Sequence, residues 1–209
     1  MYLIQKSAQP NSLRMYRRED TATYKAMPER VRSDLVKSLL AEQGHVCAYC
    51  MKRIKAEAMR VEHWASRQHH PQLQLEYNNL LACCNGNEGQ SKDTYTCDKR
   101  KANETLKLSP SHARPNINTK IDYHEGGKIK SNDPEFHLQL DTVLNLNESR
   151  LVSNRKAALK VIQNILNTKK GTRNRADIQK LLDNVLARNS KNQHREYFGF
   201  LVNYLEKKL

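Results

Sequence analysis

The chain has 209 residues and a formal net charge of +14, from 36 Lys and Arg against 22 Asp and Glu. Its hydrophobic fraction of 38% and mean hydropathy of −0.84 are polar for a globular protein, yet the apolar residues cluster well enough for a modest core. No apolar run approaches the ~18 residues of a helical membrane span, and the positive excess favours a polyanion, nucleic acid before an anionic membrane surface.

The N-terminus, Met1-Tyr2-Leu3-Ile4-Gln5-Lys6, shows no signal-peptide core, so a cytoplasmic protein with no membrane partner is expected. Residues 1–28 read as a polar, irregular arm broken by Pro10 and Pro28. Leu13, Tyr16 and Tyr24 can pack that arm on a core, and Arg17 and Arg18 either reach phosphate or stay solvated. Val31, Leu35, Leu39 and Leu40 recur at helical spacing between Pro28 and Gly44, which predicts a helix over 28–42 running into Cys47. Short β segments are predicted at 60–64 and 79–84. A polar loop containing His69, His70 and Pro71 joins them, a second loop covers 85–96, and a short helix starts near Asp98. Pro110 and Pro115 mark a boundary. After it, Lys128-Ile129-Lys130 reads as a strand behind the Gly126-Gly127 turn, and the alternation in Phe136-His137-Leu138-Gln139-Leu140 predicts another. From Glu148 onward three helices are marked: by Leu151, Ala158, Val161, Ile162 and Ile165; by Ile178, Leu181, Leu182, Val185 and Leu186; and by Tyr197, Phe198, Phe200, Leu201, Tyr204 and Leu205. The expected fold is α+β and mostly helical, with an N-terminal arm and helix (1–43), a core (44–115) and a C-terminal mixed, then helical, region (116–209).

The chemistry concentrates between Cys47 and Asn103. In a reducing cytosol, five cysteines at these spacings suggest metal ligands rather than disulfides. Cys47 and Cys50 form a CxxC knuckle whose sulfurs can reach one ion, and Cys97 with Cys83 or Cys84 supplies the second pair of a tetrahedral zinc site. Neighbours on a strand face opposite sides, so one of Cys83 and Cys84 binds. Cys84 is favoured, with Cys83 a small buried hydrophobe. Redox use of the CxxC would need a βαβ context that is missing here. Between the thiols, Glu62-His63 offers a carboxylate for a hard cation and an imidazole able to take a proton from water at neutral pH. Asn79 can accept from the imidazole N–H through its side chain or its carbonyl. Asp98 brings a second carboxylate, and Asn103 is a weaker candidate for that role.

This order of residues resembles the HNH, or ββα-metal, nuclease family of the cysteine-bearing type: CxxC, an acidic residue with His, Asn-Leu, a cysteine five residues beyond that Asn, and a final cysteine followed by a polar ligand. Cys47-Cys50, Glu62-His63, Asn79-Leu80, Cys84 and Cys97-Asp98 fall on those positions, and the five-residue step from Asn79 selects Cys84. The resemblance implies a hairpin and helix gripping a catalytic Mg²⁺ or Mn²⁺ through Glu62 and Asp98, with His63 as general base and zinc as a separate staple. The chain departs from the pattern in carrying Glu62 for the common Asp, in the long 85–96 insertion between the last two cysteines, and in Asp98 where His or Asn is frequent.

A narrower resemblance, to the PtuB subfamily of Septu and retron-associated anti-phage systems, rests on several stretches. They are Gln5-Lys6-Ser7, Pro10-Asn11-Ser12-Leu13, Glu42-Gln43-Gly44-His45-Val46-Cys47-Ala48-Tyr49-Cys50, Tyr77-Asn78-Asn79-Leu80-Leu81, Asn85-Gly86-Asn87-Glu88-Gly89, Cys97-Asp98 and Leu144-Asn145-Leu146-Asn147. It implies a nuclease effector with a PtuA-like ATPase as partner, and in the retron case a reverse transcriptase and its multicopy single-stranded DNA. Duplex DNA, single-stranded DNA and structured RNA, transfer RNA included, all fit such a basic single-metal nuclease as substrate.

Other residues have two readings each. Lys99, Arg100 and Lys101 follow Asp98 and either bind the scissile strand or form an ordinary charged helix face; His69 and His70 either touch phosphate or are solvated; Tyr95 either stacks on a base or packs. Arg155, Lys156, Lys160, Lys169, Lys170, Arg173 and Arg175 either extend a phosphate track or meet a partner. The contrasting function is a zinc-ribbon module that binds nucleic acid or protein without cutting, which needs the thiols and the charge but not Glu62, His63 and Asn79 together.

Overall fold

The computed structural model describes residues 1–168 and 174–209, so Lys169, Lys170 and Arg173 lie outside the described residues. The N-terminal arm is less irregular than its composition suggests. Asn11–Tyr16 form α1, a short helix that buries Leu13 and Tyr16. Pro28 caps α2 (Glu29–Glu42), which turns Val31, Leu35, Leu39 and Leu40 inward on one face.

The end of α2 is where the arm, helix and core are tied. Glu42 accepts from Lys6, from Ser7 and from the Tyr77 hydroxyl (2.9 Å). The Gln43 side chain acts as a piece of strand: its amide donates to the carbonyls of Val46 (2.9 Å) and Ala82 (2.8 Å), and its oxygen accepts from Ala82 N (2.7 Å). Gly44 then turns at φ +58, where a Cβ would stand 2.4 Å from the His194 ring, so both backbone and space demand glycine.

β1 (Met59–His63) pairs antiparallel with β2 (Leu80–Cys84), setting Met59 opposite Cys84 and His63 opposite Leu80. Every residue of β2 is buried, because both α2 and the five-residue α3 (Cys97–Lys101) pack on it. A second hairpin, β3 (Ile121–Tyr123) with β4 (Ile129–Ser131), precedes α4 (Pro134–Thr142). The alternating segment 136–140 is therefore helix, not strand. Asp133 caps it by accepting from Phe136 N (3.0 Å), and Pro134 sits at the first helical position, where its missing N–H costs nothing. Those two start signals outweigh a five-residue alternation.

The remaining helices are α5 (Ser149–Asn167), α6 (Arg175–Leu186) and α7 (Phe198–Glu206). Glu148 caps α5 through Arg150 N and Leu151 N. Arg155, expected on a basic surface, is 1% exposed instead. Its guanidinium donates to the Gly127 and Leu146 carbonyls, which joins α5 to the second hairpin and to the 144–147 segment. One apolar cluster runs from Leu13 through the thiols to α7. Among the described residues no helix is long and apolar enough to cross a membrane.

Candidate active site and metal centre

Cys47, Cys50, Cys84 and Cys97 converge. All four are buried, and their sulfurs lie within 4.8 Å of one another. Four thiolates about 2.3 Å from one tetrahedral ion stand about 3.8 Å apart. The Cys50 and Cys84 sulfurs are 3.8 Å apart. Burial opposes ionisation of Cys47, yet hydrogen bonds from Cys50, Cys83, Cys84 and Cys97 carry its thiol well below the usual range. The cluster has the spacing and donor chemistry to hold a metal ion such as zinc. Cys83 stands outside the four. It faces Arg60 across the hairpin, and burial keeps its thiol well above the usual range.

The scaffold around the cluster explains several sequence motifs. Met51 N returns to Cys47 O (3.0 Å), closing the knuckle. Cys97 N donates to Leu144 O (2.9 Å), and Asn145 Nδ2 holds the carbonyls of Asp93 and Tyr95 (2.9 Å each), pinning the loop that delivers Cys97.

Beside the cluster lies a cleft of about 720 Å³. Glu62, His63, Asp98 and Asn103 all line it, together with Tyr24, Glu29, Arg32, Arg60 and Arg67. His63 Nε2 lies 2.9 Å from the carbonyl oxygen of Gln74, which can only accept. The ring is therefore the Nε2–H tautomer, and Nδ1 keeps its lone pair. Burial lowers the His63 pKa to about 4, so the imidazole is neutral at pH 7. Asn79 is not its partner. The Asn79 side chain instead clamps the loop, accepting from Ala65 N (2.7 Å) and donating to Ala65 O (3.0 Å) and Leu73 O (3.1 Å). The loop held this way is the one that presents Gln74. Asn79 thus stands behind the imidazole rather than on it.

Glu62 is almost fully buried. Burial, then the neighbouring Asp98 carboxylate, push its pKa well above the usual range. Opposing them, Lys101 Nζ lies 2.8 Å from Glu62 Oε1, with side-chain exposures of 0% and 4%, and the Tyr49 hydroxyl donates to the same oxygen (3.1 Å). Two carboxylates pressed together in this way form a hard-oxygen set that suits a divalent cation. Asp98 is the more open of the pair, with Arg60 3.9 Å away.

Of the cations expected at nucleic acid, Lys101 is withdrawn from that role. Position 101 is one helical turn after Cys97, on the same inward face, and its ammonium also donates to His63 O (3.2 Å). Lys99 pairs with Glu88 (2.9 Å) and lies over the Tyr95 ring (5.4 Å), and Arg100 reaches Thr142 O (3.3 Å). His69 and His70 sit in the turn after Ser66 and do not line the cleft. The Asn103 amide donates to Gln68 at the cleft rim. Tyr24, Arg32, Arg67 and Gln74 were not singled out by the motifs. Their only sequence signal is position in segments that the fold later brings to His63.

No family model matches the chain. It is similar to a protein of Vibrio cholerae serotype O1 biovar El Tor named "Retron Vc95 putative HNH endonuclease", with 29% identity over 140 residues. The match covers 63% of this chain and 66% of that relative, just under two thirds of its length.

Two outcomes follow from the geometry. Elemental analysis of purified protein should find about one tightly held ion per chain at the cysteine cluster. Serine at position 47, 50, 84 or 97 should abolish that ion and the cooperative unfolding transition, whereas Cys83→Ser should retain the metal. Metal loss in Cys83→Ser but not in Cys84→Ser would invert the assignment. Separately, Lys101→Ala should lower stability by about 3–5 kcal/mol in denaturant titrations, because it strands the buried Glu62 carboxylate. Adding Glu62→Gln should recover part of the loss.

Proposed function

We propose that the chain is a metal-dependent endonuclease of the HNH type, hydrolysing phosphodiester bonds of nucleic acid. The observation that carries this reading is His63: a buried, neutral imidazole of fixed tautomer, opening with Glu62 and Asp98 on one cleft. The net charge of +14 and the named relative support a nucleic-acid substrate and a nuclease class.

In the proposed reaction His63 Nδ1 accepts the proton of the attacking water. The water oxygen bonds to phosphorus as the bond to the leaving oxygen breaks, and the leaving oxygen is then protonated from solvent. Throughout, the Gln74 carbonyl holds the Nε2 proton, so the ring cannot flip, and it shares the charge of the imidazolium that forms. Glu62 and Asp98, with Asn103 at the rim, would hold Mg²⁺ or Mn²⁺, and such an ion supplies charge stabilisation at the leaving oxygen. Asn79 positions the Gln74 loop. Zinc at Cys47, Cys50, Cys84 and Cys97 would hold the hairpin and α3 in register. The hairpin, α3 and site then correspond to a ββα-metal unit. A binding module that does not cut would not need an imidazole held neutral and in one tautomer.

His63→Ala should reduce cleavage by about 10²–10⁴-fold, read on gels of DNA and RNA substrates with added Mg²⁺ or Mn²⁺, while nucleic-acid binding persists. Cleavage at the native rate would exclude His63 as base.

The finer reading is an effector of anti-phage defence, with a PtuA-like ATPase and, in a retron setting, a reverse transcriptase and its multicopy single-stranded DNA as partners. Its support is the motif resemblance and the relative's name. Affinity purification of the full-length chain co-expressed with such an ATPase should recover a complex. A chain that elutes alone at every salt concentration would remove the ATPase from the proposal.

A further inference from the structure

Part of the lining of the cleft comes from the N-terminal arm, α2 and the segment after β1, through Tyr24, Arg32 and Arg67. The Tyr24 ring meets the His63 imidazole edge-on, with centroids 4.5 Å apart and an interplanar angle of 86°. Tyr24 N donates to Gln74 Oε1 (3.0 Å), so one residue, Gln74, holds the Tyr24 backbone with its side chain and the His63 ring with its carbonyl. Two guanidinium groups lie over the Tyr24 ring: Arg67, with Cζ 4.7 Å from the centroid, and Arg32 at 4.9 Å. Both line the same cleft as His63, Glu62 and Asp98.

Neither guanidinium is compensated. The ion pairs among the described residues involve Lys6, Arg17, Arg60, Lys99, Lys101, Lys107, Lys130, Arg150 and Lys207, but not Arg32 or Arg67. Glu29 lines the cleft and pairs with neither. Arg32 uses one N–H on the Tyr24 carbonyl (3.1 Å), and among the described residues Arg67 has no side-chain hydrogen-bond partner, only the Tyr24 ring. Elsewhere near the site, Arg60 is matched by Glu88 and Asp98 and Lys101 by Glu62. Two unmatched, fork-shaped donors held on a rigid ring beside the base fit a tetrahedral anion. With two cations already over it, the Tyr24 ring is poorly placed to stack on a nucleobase.

We propose that Arg32 and Arg67, mounted on Tyr24, form a binding site for a backbone phosphate of the nucleic acid and set its position relative to His63. The proposal rests on the nuclease reading for the identity of its ligand. The site reads phosphate and not base, so it contributes affinity and register without sequence preference.

The test is the salt dependence of binding, measured with short labelled DNA and RNA oligonucleotides and full-length protein carrying His63→Ala so that nothing is cut. Each of Arg32→Ala and Arg67→Ala should lower the slope of log Kd against log salt by about 0.7–0.9, the signature of one lost phosphate contact. Arg67→Lys should keep the slope and lose part of the affinity, because a point charge replaces a fork. Lys107→Ala, which removes a paired surface cation, should leave the slope unchanged. Metal content and melting temperature are followed in each variant, since a merely structural arginine would change those and not the slope. An unchanged slope in both arginine variants with binding intact overturns the proposal, even if the wild-type chain cuts. An arginine-dependent slope in a protein that never cuts upholds the phosphate site and sinks the nuclease reading. Failure to bind either oligonucleotide at any salt overturns both.

Discussion

Convergence of four sulfurs is the constraint on which the site depends. They come from the knuckle after α2, the end of β2 and the start of α3, so one cluster ties together three elements that also pack on one another through β2. An isolated helix of five residues has no stability of its own, because nucleation costs more than one turn returns. α3 is held at one end by Cys97 and at the other by the buried Lys101–Glu62 pair. The same turn that brings Cys97 to the cysteine cluster therefore delivers Asp98 to Glu62, and the cluster and the cleft share one short helix.

The buried ion pair belongs to this economy. A Lys–Glu pair out of water is rarely a net source of stability, since desolvation offsets most of the attraction. Its value lies in orientation. Lys101 bridges the carboxylate of Glu62 and the carbonyl of His63, so the two adjacent residues keep a fixed relation although their side chains leave a strand in different directions.

How much of this the sequence discloses depends on how local each signal is. Cysteine spacing and Glu62-His63 are local, and they lead to residues that the fold does bring to one place. The helix over α2 is legible because four apolar residues at helical spacing sit between a proline and a glycine. At 136–140 the Asp133-Pro134 start signal outweighs the alternation, and Arg155, a cation within a basic run, carries no hint that two backbone carbonyls await it. Lys101 was legible in principle, one turn after Cys97, but charge spoke louder than position. Tyr24, Arg32 and Arg67 were not. They meet across segments far apart in the chain, with both guanidiniums over the Tyr24 ring and Tyr24 tied to Gln74, and no pattern in the chain announces those contacts.

The tether between Cys97 N and Leu144 O has a consequence for synthesis. The last thiol is held by a residue 47 positions downstream in the chain, and Leu146 is in turn held by Arg155 on α5. Contacts of such separation close late, after the entropy of a long loop has been overcome. A nascent chain that has displayed every cysteine, Glu62, His63 and Asp98 outside the ribosome still lacks the clasp that seats α3. The cleft is then finished with the arrival of the C-terminal helices rather than with the motif.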